Sequence, residues 1–251
     1  MPSEHRSATP EQRIAGLEAE LALLRAEMQD FTYTVSHDLR ASLRHILSYA
    51  QLVQEDAADL LPAETMGFVN TISDSARHMG VLMDGLMELS RLGTAPLHLA
   101  PQPLQPLLAD VLAELQQKQP ARQVDWQVQS DLPAVLADAT LLRAALLAVL
   151  DNALKFTALQ PAARIRIGTL AQGALPGQVL LQVQDNGAGF NAALQSKLFK
   201  PFSRLHTSKQ FAGIGMGLAL TRKMLERMGG QVRAEGAVDA GCTLFLSLPA
   251  A

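Results

Sequence analysis

A single cysteine, Cys242, stands among 251 residues. That excludes an internal disulfide framework and fits a reducing compartment. No run of about 18 apolar residues occurs, as a membrane-spanning helix would need. The N-terminal PSEHRSATPEQR is polar where a signal peptide carries an apolar core. A soluble, cytoplasmic chain is the expectation. Positive charge is not in excess either: 21 Lys and Arg against 24 Asp and Glu leave a formal net charge of −3, so nothing favours nucleic acid as a partner. What remains is ordinary globular composition, 48% hydrophobic and 18% charged, enough for one large domain or two modest ones.

The first hundred residues read as helix. Ile14, Leu17, Leu21, Leu24, Met28, Phe31 and Val35 recur in alternating steps of 3 and 4. That is a heptad seam, with Glu11, Glu18, Glu20, Arg25 and Glu27 off it. An amphipathic helix on its own domain would show the same pattern, but three regular heptads favour a parallel two-stranded coiled coil, a rod about 33 Å long. The helix continues through His37, with Leu39, Leu43, Ile46, Leu47, Ala50 and Val53 as its expected buried set. The seam changes register near residues 35–39, so the apolar face rotates there. EDAADLLPAE (55–64), acidic and containing Pro62, reads as a turn. A second helix, about 63–92, carries Val69, Ile72, Ala76, Met79, Met83 and Leu86 in the same steps. Two helices with a stripe apiece cannot bury both faces alone; two hairpins in a four-helix bundle can. A homodimer is expected. His5 in the N-terminal tail, His45 and His78 at solvated helix positions and His98 further on have no metal-ligand company.

TAPLHLAPQPLQP (94–106) holds four prolines in thirteen residues and marks a boundary. The expected organisation is a tail and coiled-coil helix (1–30), a helical hairpin (31–94), a linker (95–103) and an α/β domain (104–251). In the last, helices are expected at about 104–118, 139–156 and 215–228. Strands are expected around Val124, Trp126 and Val128, and at about 164–170, 178–184, 231–235 and 242–248. Antiparallel strands with helices on one face make a two-layer α/β sandwich. The fold class is therefore multidomain, α followed by α/β.

Four stretches carry chemistry. FTYTVSHDLRASLR (31–44) puts His37 and Asp38 on a helix with Arg40 and Arg44; alone, it is no more than a helix histidine. On the helix that carries LDNALKFT (150–157), Ala148, Asn152 and Lys155 share one face. An amide oxygen beside an ammonium suits Mg²⁺ together with phosphate oxygens, although a polar surface stripe would look alike; Leu154 and Phe156 are expected to face the core. In DNGAGF (185–190), Asp185 ends a strand where a carboxylate can accept the exocyclic amine of adenine, and the glycines let the backbone approach the base. FKPFSRLHTSKQFA (199–212) reads as a mobile lid anchored by Phe199 and Phe202, offering Arg204, Lys209 and His206 to phosphates. Gly213, Gly215 and Gly217 then open a helix whose amides can bind phosphate oxygens.

In this order, the four stretches resemble the catalytic core of a sensor histidine kinase, over about residues 14–249. The resemblance implies a dimerisation and histidine-phosphotransfer hairpin followed by a Bergerat-type ATP-binding domain, with ATP and Mg²⁺ as cofactors. His37 would be the phosphate acceptor and Asp38 the carboxylate that holds its tautomer and takes its proton. Asn152 would ligate Mg²⁺ and Lys155 contact phosphate. Asp185, Gly187, Gly189, Phe202, Arg204, Lys209, Gly213, Gly215, Gly217 and Leu218 would complete the ATP site. The partners implied are a second copy of the chain and a response-regulator receiver domain docking below His37, with input from a sensor partner or from an upstream sensor. The spelling around His37 and in Phe-Ser-Arg-Leu-His is similar to kinases coupled to phytochrome-type photosensors.

Three residues depart from the family pattern. Ser42 stands where proline is common, removing a helix kink. Ala41 stands where Thr or Asn would position a water, which implies weak phosphatase activity toward the regulator. Ala148 stands where Asn is usual, and where gyrase-like ATPases carry a water-activating Glu. That argues against a hydrolytic ATPase and leaves Mg²⁺ one ligand or second-layer partner short. A non-catalytic dimeric phosphotransfer scaffold with a degenerate nucleotide site is the alternative reading.

Overall fold

The computed structural model describes residues 9–171, 173, 175–207 and 210–251; His5 and Lys209 lie outside them. The chain divides into two compact units between Ala95 and Pro96.

The first unit is a helical hairpin. Helix α1 runs Pro10–Asp56 and α2 Ala63–Leu92, with the turn at Pro62 where the sequence placed it. Thr9 starts α1 with a capping box: its hydroxyl accepts from Gln12 N at 3.3 Å while the Gln12 side chain accepts from Thr9 N at 3.0 Å. Two of the unpaired amides of the first turn are satisfied this way. The hairpin closes on Leu43, Ala76 and Met83, with Leu47 packed against them and Ala50 and Met87 also buried. At one end Gln54 Nε2 donates to Asn70 Oδ1 at 2.7 Å; at the other Arg40 Nη2 donates to Asp84 Oδ1 at 2.7 Å.

Only part of the expected buried set is inside this hairpin. Leu39, Ile46 and Val53 on α1, and Ile72, Met79 and Leu86 on α2, are 38–51% exposed. Each trio repeats every seven residues, so it forms one line on the helix surface. Leu43, Leu47 and Ala50 lie on the neighbouring line and take the contact with α2. The apolar stripe of α1 is therefore wider than one partner helix covers. The heptad seam from Ile14 to Val35 is likewise exposed.

The second unit is a sheet of order β2-β4-β5-β7-β6 under a helical layer. In chain order it contains β1 (Ala100–Pro103), α3 (Leu104–Lys118), β2 (Asp125–Val128), β3 (Ala134–Ala137), α4 (Ala139–Phe156), β4 (Arg164–Leu170), β5 (Gln178–Asp185), a 3-10 turn (Ala192–Lys197), α5 (Gly217–Arg227), β6 (Gln231–Gly236) and β7 (Cys242–Pro249). Two expectations change. Residues 100–103, read as linker, form β1 and pair antiparallel with β3 in a separate two-stranded sheet; edge positions tolerate Pro101 and Pro103. The main sheet is mixed, because β2 pairs parallel with β4. The crossover through α4 returns the chain to the same end of the sheet, which fixes that direction.

Register explains what lies under the helices. Ile167, Val183, Leu244 and Ala234 stand opposite one another across four strands, and all four are buried. Two residues along on the same face, Ile165, Asp185, Cys242 and Gly236 form the last such row. Asp185 thus points to the covered side of the sheet, at its end. Above it α4 buries Leu142, Leu146, Val149, Leu150 and Leu154, each worth about 1.5–3 kcal/mol when fully removed from water. Asp138 caps that helix, its Oδ1 accepting from Thr140 N at 3.0 Å and Leu141 N at 3.1 Å. Its Oδ2 accepts His98 N at 3.0 Å, tying the chain ahead of β1 to the start of α4. Among the described residues, no helix is long and apolar enough to cross a membrane.

Candidate functional site

Chemistry gathers at one place in each unit. In the hairpin, the side chain of His37 is 65% exposed and its Nδ1 lies 3.2 Å from Asp38 Oδ1. A carboxylate accepts only, so the contact places the proton on Nδ1 and leaves the Nε2 lone pair open. Tyr33, one turn earlier, stacks on the imidazole at 6.5 Å between centroids and 25° between planes. Ser36, beside His37, is buried. Arg40 is committed to Asp84 and to Met87 Sδ at 3.1 Å, so it braces α1 against α2 below the histidine. Asp84 was not legible as its partner, since nothing local relates positions 44 apart. Ser42 Oγ turns back to Asp38 O at 3.4 Å, and α1 runs through this point as helix.

In the α/β unit, a cavity of about 340 Å³ opens beside the end of β5. It is lined from α4 by Ala148, Asn152, Lys155 and Phe156, from the sheet by Asp185 and Cys242, and from the later segments by Gly189, Arg204, Gly213, Gly215, Gly217 and Leu218. Residues drawn from stretches sixty positions apart therefore share one wall. Gly187 and Phe202 do not line it. Gly187 acts through Asp185, donating its N–H to Oδ1 at 2.8 Å. Phe202 sits at φ 60°, a left-handed conformation uncommon for a bulky residue, at the turn that leads into Ser203 and Arg204.

Asp185 is the polar floor. It is 9% exposed, and Oδ1 also accepts from Cys242 N at 3.3 Å. Among the described residues Oδ2 has no protein donor. Burial pushes its carboxyl up to about 6, against the pull of the Gly187 and Cys242 amides. The Cys242 thiol beside it is pushed up to about 12 by burial and by that carboxylate, which leaves it inert. The close approach of the loops after β5 and β6 needs glycine here: a Cβ on Gly189, at φ 59°, would lie 1.8 Å from Ala237 O.

The cationic side lies toward α5. Burial holds the Lys155 ammonium below its ordinary value, and Arg204 adds to this while Asp151 opposes it. A Cβ on Gly213 would meet Lys155 Nζ at 3.5 Å, and one on Gly217 would meet Asn152 Nδ2 at 3.7 Å. The N-terminus of α5 starts at Gly217 with no side-chain cap, so its first amides are left for an anion. Asn152 supplies one neutral oxygen, and Ala148 supplies none. Such a set fits Mg²⁺ held mainly by phosphate oxygens and water.

Two expectations are corrected. Phe156 does not enter the core. It lines the cavity, its ring meeting His206 at 5.3 Å and Phe211 at 4.9 Å between centroids. His206 does not offer Nε2 to phosphate, because that nitrogen lies 2.9 Å from Gly189 O. Arg204 likewise spends Nη2 on Phe211 O at 2.7 Å. Phe156 could have been found from its spacing, four residues after Asn152 on one face. His206 and Phe211 could not, being fifty residues away.

Residues 27–95 match the model of the His Kinase A (phospho-acceptor) domain, and residues 137–251 that of the histidine kinase-, DNA gyrase B-, and HSP90-like ATPase. The chain is 29% identical over 237 residues to cyanobacterial phytochrome A of Nostoc, covering 94% of this chain and 30% of that protein. It is 30% identical over 228 residues to the circadian input-output histidine kinase CikA of Synechococcus elongatus, covering 88% of this chain and 30% of that one. It thus spans about 30% of the length of these curated relatives. A crystal structure of full-length ShkA in complex with AMPPNP aligns at a TM-score of 0.60 with 31% identity, over 88% of this chain and 46% of that one. Histidine kinase ThkA, solved in complex with the response regulator TrrA, shares the fold at a TM-score of 0.61 and 20% identity, over 93% of this chain and 66% of that one.

Proposed function

We propose, from the premise that the chain is a sensor histidine kinase catalytic core, that it transfers the γ-phosphoryl group of ATP to Nε2 of its own His37. The observation that carries this is the exposed His37 imidazole held at Nδ1 by Asp38, 3.2 Å away. The Nε2 lone pair attacks the γ-phosphorus, the bond to the bridging oxygen breaks, and ADP leaves. The Nδ1 proton passes to Asp38, so the product is a neutral phosphorylated ring.

In the cavity, the free Oδ2 of Asp185 accepts the exocyclic amine of adenine. Lys155, Arg204, the amides opening α5 and the glycines 213, 215 and 217 receive the phosphates; Lys209 would join them from the same segment. Asn152 would hold Mg²⁺ through its side-chain oxygen, and the metal would neutralise charge on the phosphates. Gly187, Gly189, Phe202 and Leu218 shape the backbone and walls around these groups. Catalysis then rests on positioning and charge neutralisation, as phosphoryl transfer generally does.

Two further elements belong to this reading. Exposed lines through Leu39, Ile46 and Val53 and through Ile72, Met79 and Leu86 support a homodimer in which two hairpins form a four-helix bundle, preceded by a coiled coil on the Ile14–Val35 seam. The phosphoryl group next passes to an aspartate of a response-regulator receiver domain in the cytoplasm, under control of a sensor acting through α1. We take residues 31–94 as the dimerisation and phosphotransfer domain and 104–251, with β1, as the ATP-binding one.

The test is incubation of wild type and His37→Gln with Mg²⁺ and γ-labelled ATP. Acid-labile, base-stable label on wild type alone is expected. Ala148, which gives Mg²⁺ no ligand, favours a second reading, a phosphotransfer scaffold with a degenerate nucleotide site. Absence of both label and ATP binding in wild type would select it.

A further inference from the structure

His206 makes contacts that neither phosphoryl transfer nor folding of the sheet requires. Its Nε2 lies 2.9 Å from the carbonyl oxygen of Gly189. A carbonyl only accepts, so Nε2 carries the proton and donates it. Among the described residues Gly189 O has no other donor. The same imidazole meets Phe156 at 5.3 Å and Phe211 at 5.1 Å between centroids, tilted by 42° and 70°, and those two phenyl rings meet edge to face at 4.9 Å. All three side chains line the cavity.

The three residues belong to three different segments. Phe156 ends α4, next to Lys155. Its carbonyl accepts Ala188 N at 3.0 Å, so the loop after β5 is tied to α4 through the Phe156 backbone. His206 ties that loop a second time, through Gly189 O, to the segment after Phe202. At the root of the loop stands Asp185, held by Gly187 N. One imidazole therefore fixes, together, the orientation of the Phe156 ring and the path of the loop that presents the Asp185 carboxylate. A ring with an apolar face and a donor on its edge is what this position uses; phenylalanine offers the first alone and glutamine the second alone.

We propose that His206 is a positioning residue for the nucleotide: it clasps the Asp185 loop to the Phe156 ring and so holds the purine end of the cavity in receptive form before ATP arrives. The proposal rests on the ATP-dependent reading above and adds to it a residue that touches neither phosphate nor the reacting atoms. Preorganisation acts on affinity, since the ordering is done before binding. It leaves the chemical step at saturating ATP alone.

The experiment uses the full chain with Mg²⁺ and ATP, measuring ATP affinity by calorimetry, His37 labelling as a function of ATP concentration, and the thermal midpoint, for wild type, His206→Phe, His206→Gln and His206→Ala. His206→Ala is expected to weaken ATP binding by about tenfold, the scale of one hydrogen bond and two ring contacts combined. His206→Phe and His206→Gln should each weaken it by about three- to fivefold, as each retains part of the contact. KM for ATP should rise in parallel, with the labelling rate at saturation within about twofold of wild type. A merely space-filling ring would be replaced by phenylalanine without loss, so wild-type affinity in His206→Phe and His206→Gln overturns the proposal while the kinase reading stands. If His206→Ala does not fold, those two variants decide. Wild type that binds no ATP overturns both.

Discussion

Asp38 holds its own neighbour. Its Oδ1 reaches Nδ1 of His37 at 3.2 Å, although consecutive side chains on a helix ordinarily diverge. Both residues are largely exposed and Arg40 is occupied by Asp84, so the carboxylate has no competing cation within its own turn. The imidazole is oriented by an adjacent residue rather than by the opposite helix.

Asp38→Asn keeps an acceptor for Nδ1–H but cannot take the proton. Single-turnover labelling of His37 is expected to slow by about 10²-fold or more, the usual scale for losing a general base. ATP affinity should be unchanged. A rate within a few-fold of wild type would remove Asp38 from the mechanism.

Asp185 predicts two pH dependences of opposite sign. Its carboxyl is raised from 3.8 to about 6 in the fold, so the native state binds this proton more tightly than the unfolded chain does. Its contribution to stability is fully present below pH 3.8 and is lost as pH rises through about 6. Accepting the adenine amine needs the ionised form, so ATP affinity should fall about tenfold between pH 7 and pH 5. Asp185→Asn is expected to abolish ATP binding while raising the thermal midpoint, by relieving a buried charge worth on the order of 1–3 kcal/mol. Calorimetry and thermal melts on the same samples check both.

Charge placed on the outer lines of the hairpin should separate protomers without unfolding them. Ile46→Glu with Met79→Glu puts two carboxylates on surface that one chain leaves exposed. Burying them in a dimer costs several kcal/mol, so sedimentation equilibrium should show association weakened toward the monomer by at least about 10²-fold, with helical content retained. Ala76→Glu, at a position 1% exposed, should instead unfold the hairpin. A dimer unaffected by the double substitution would place the contact elsewhere.

Arg122 supports the end of α4. Its guanidinium donates to Leu154 O, and Nη2 donates to Thr157 Oγ1 at 2.8 Å, where Thr157 is fully buried. Arg122→Ala leaves those acceptors short and should destabilise the α/β unit by about 1–3 kcal/mol, read as a lower urea midpoint at constant slope. Lysine should not restore it, lacking a fork that serves two acceptors.

Much of this was legible in the sequence, for reasons specific to each element. The extent of α4, expected at about 139–156, is the Ala139–Phe156 observed, and the glycines of 185–189 and 213–217 mark backbone that must pass close to something. Strand β1 was hidden by its prolines, and the parallel pairing of β2 with β4 by the fact that direction depends on a crossover. The exposure of Leu39, Ile46 and Val53 is not written in their spacing, because periodicity reports that a line is apolar and is silent on which helix covers it. The clasp of Phe156, His206 and Phe211 joins positions fifty residues apart, and no local spacing encodes that meeting.

Helix α1 runs without interruption over 47 residues, about 70 Å at 1.5 Å per residue, with His37 in its second half. An unbroken helix behaves as a shaft with a pitch. Adding or removing one residue ahead of His37 turns whatever is attached at the front by about 100° relative to the imidazole, whereas seven residues bring it back to within about 20°. Insertions in the Ile14–Val35 stretch should therefore be graded by phase rather than by length. The output would follow a periodic curve in which a whole heptad is silent and an insertion of about two residues, roughly half a turn, reverses the setting.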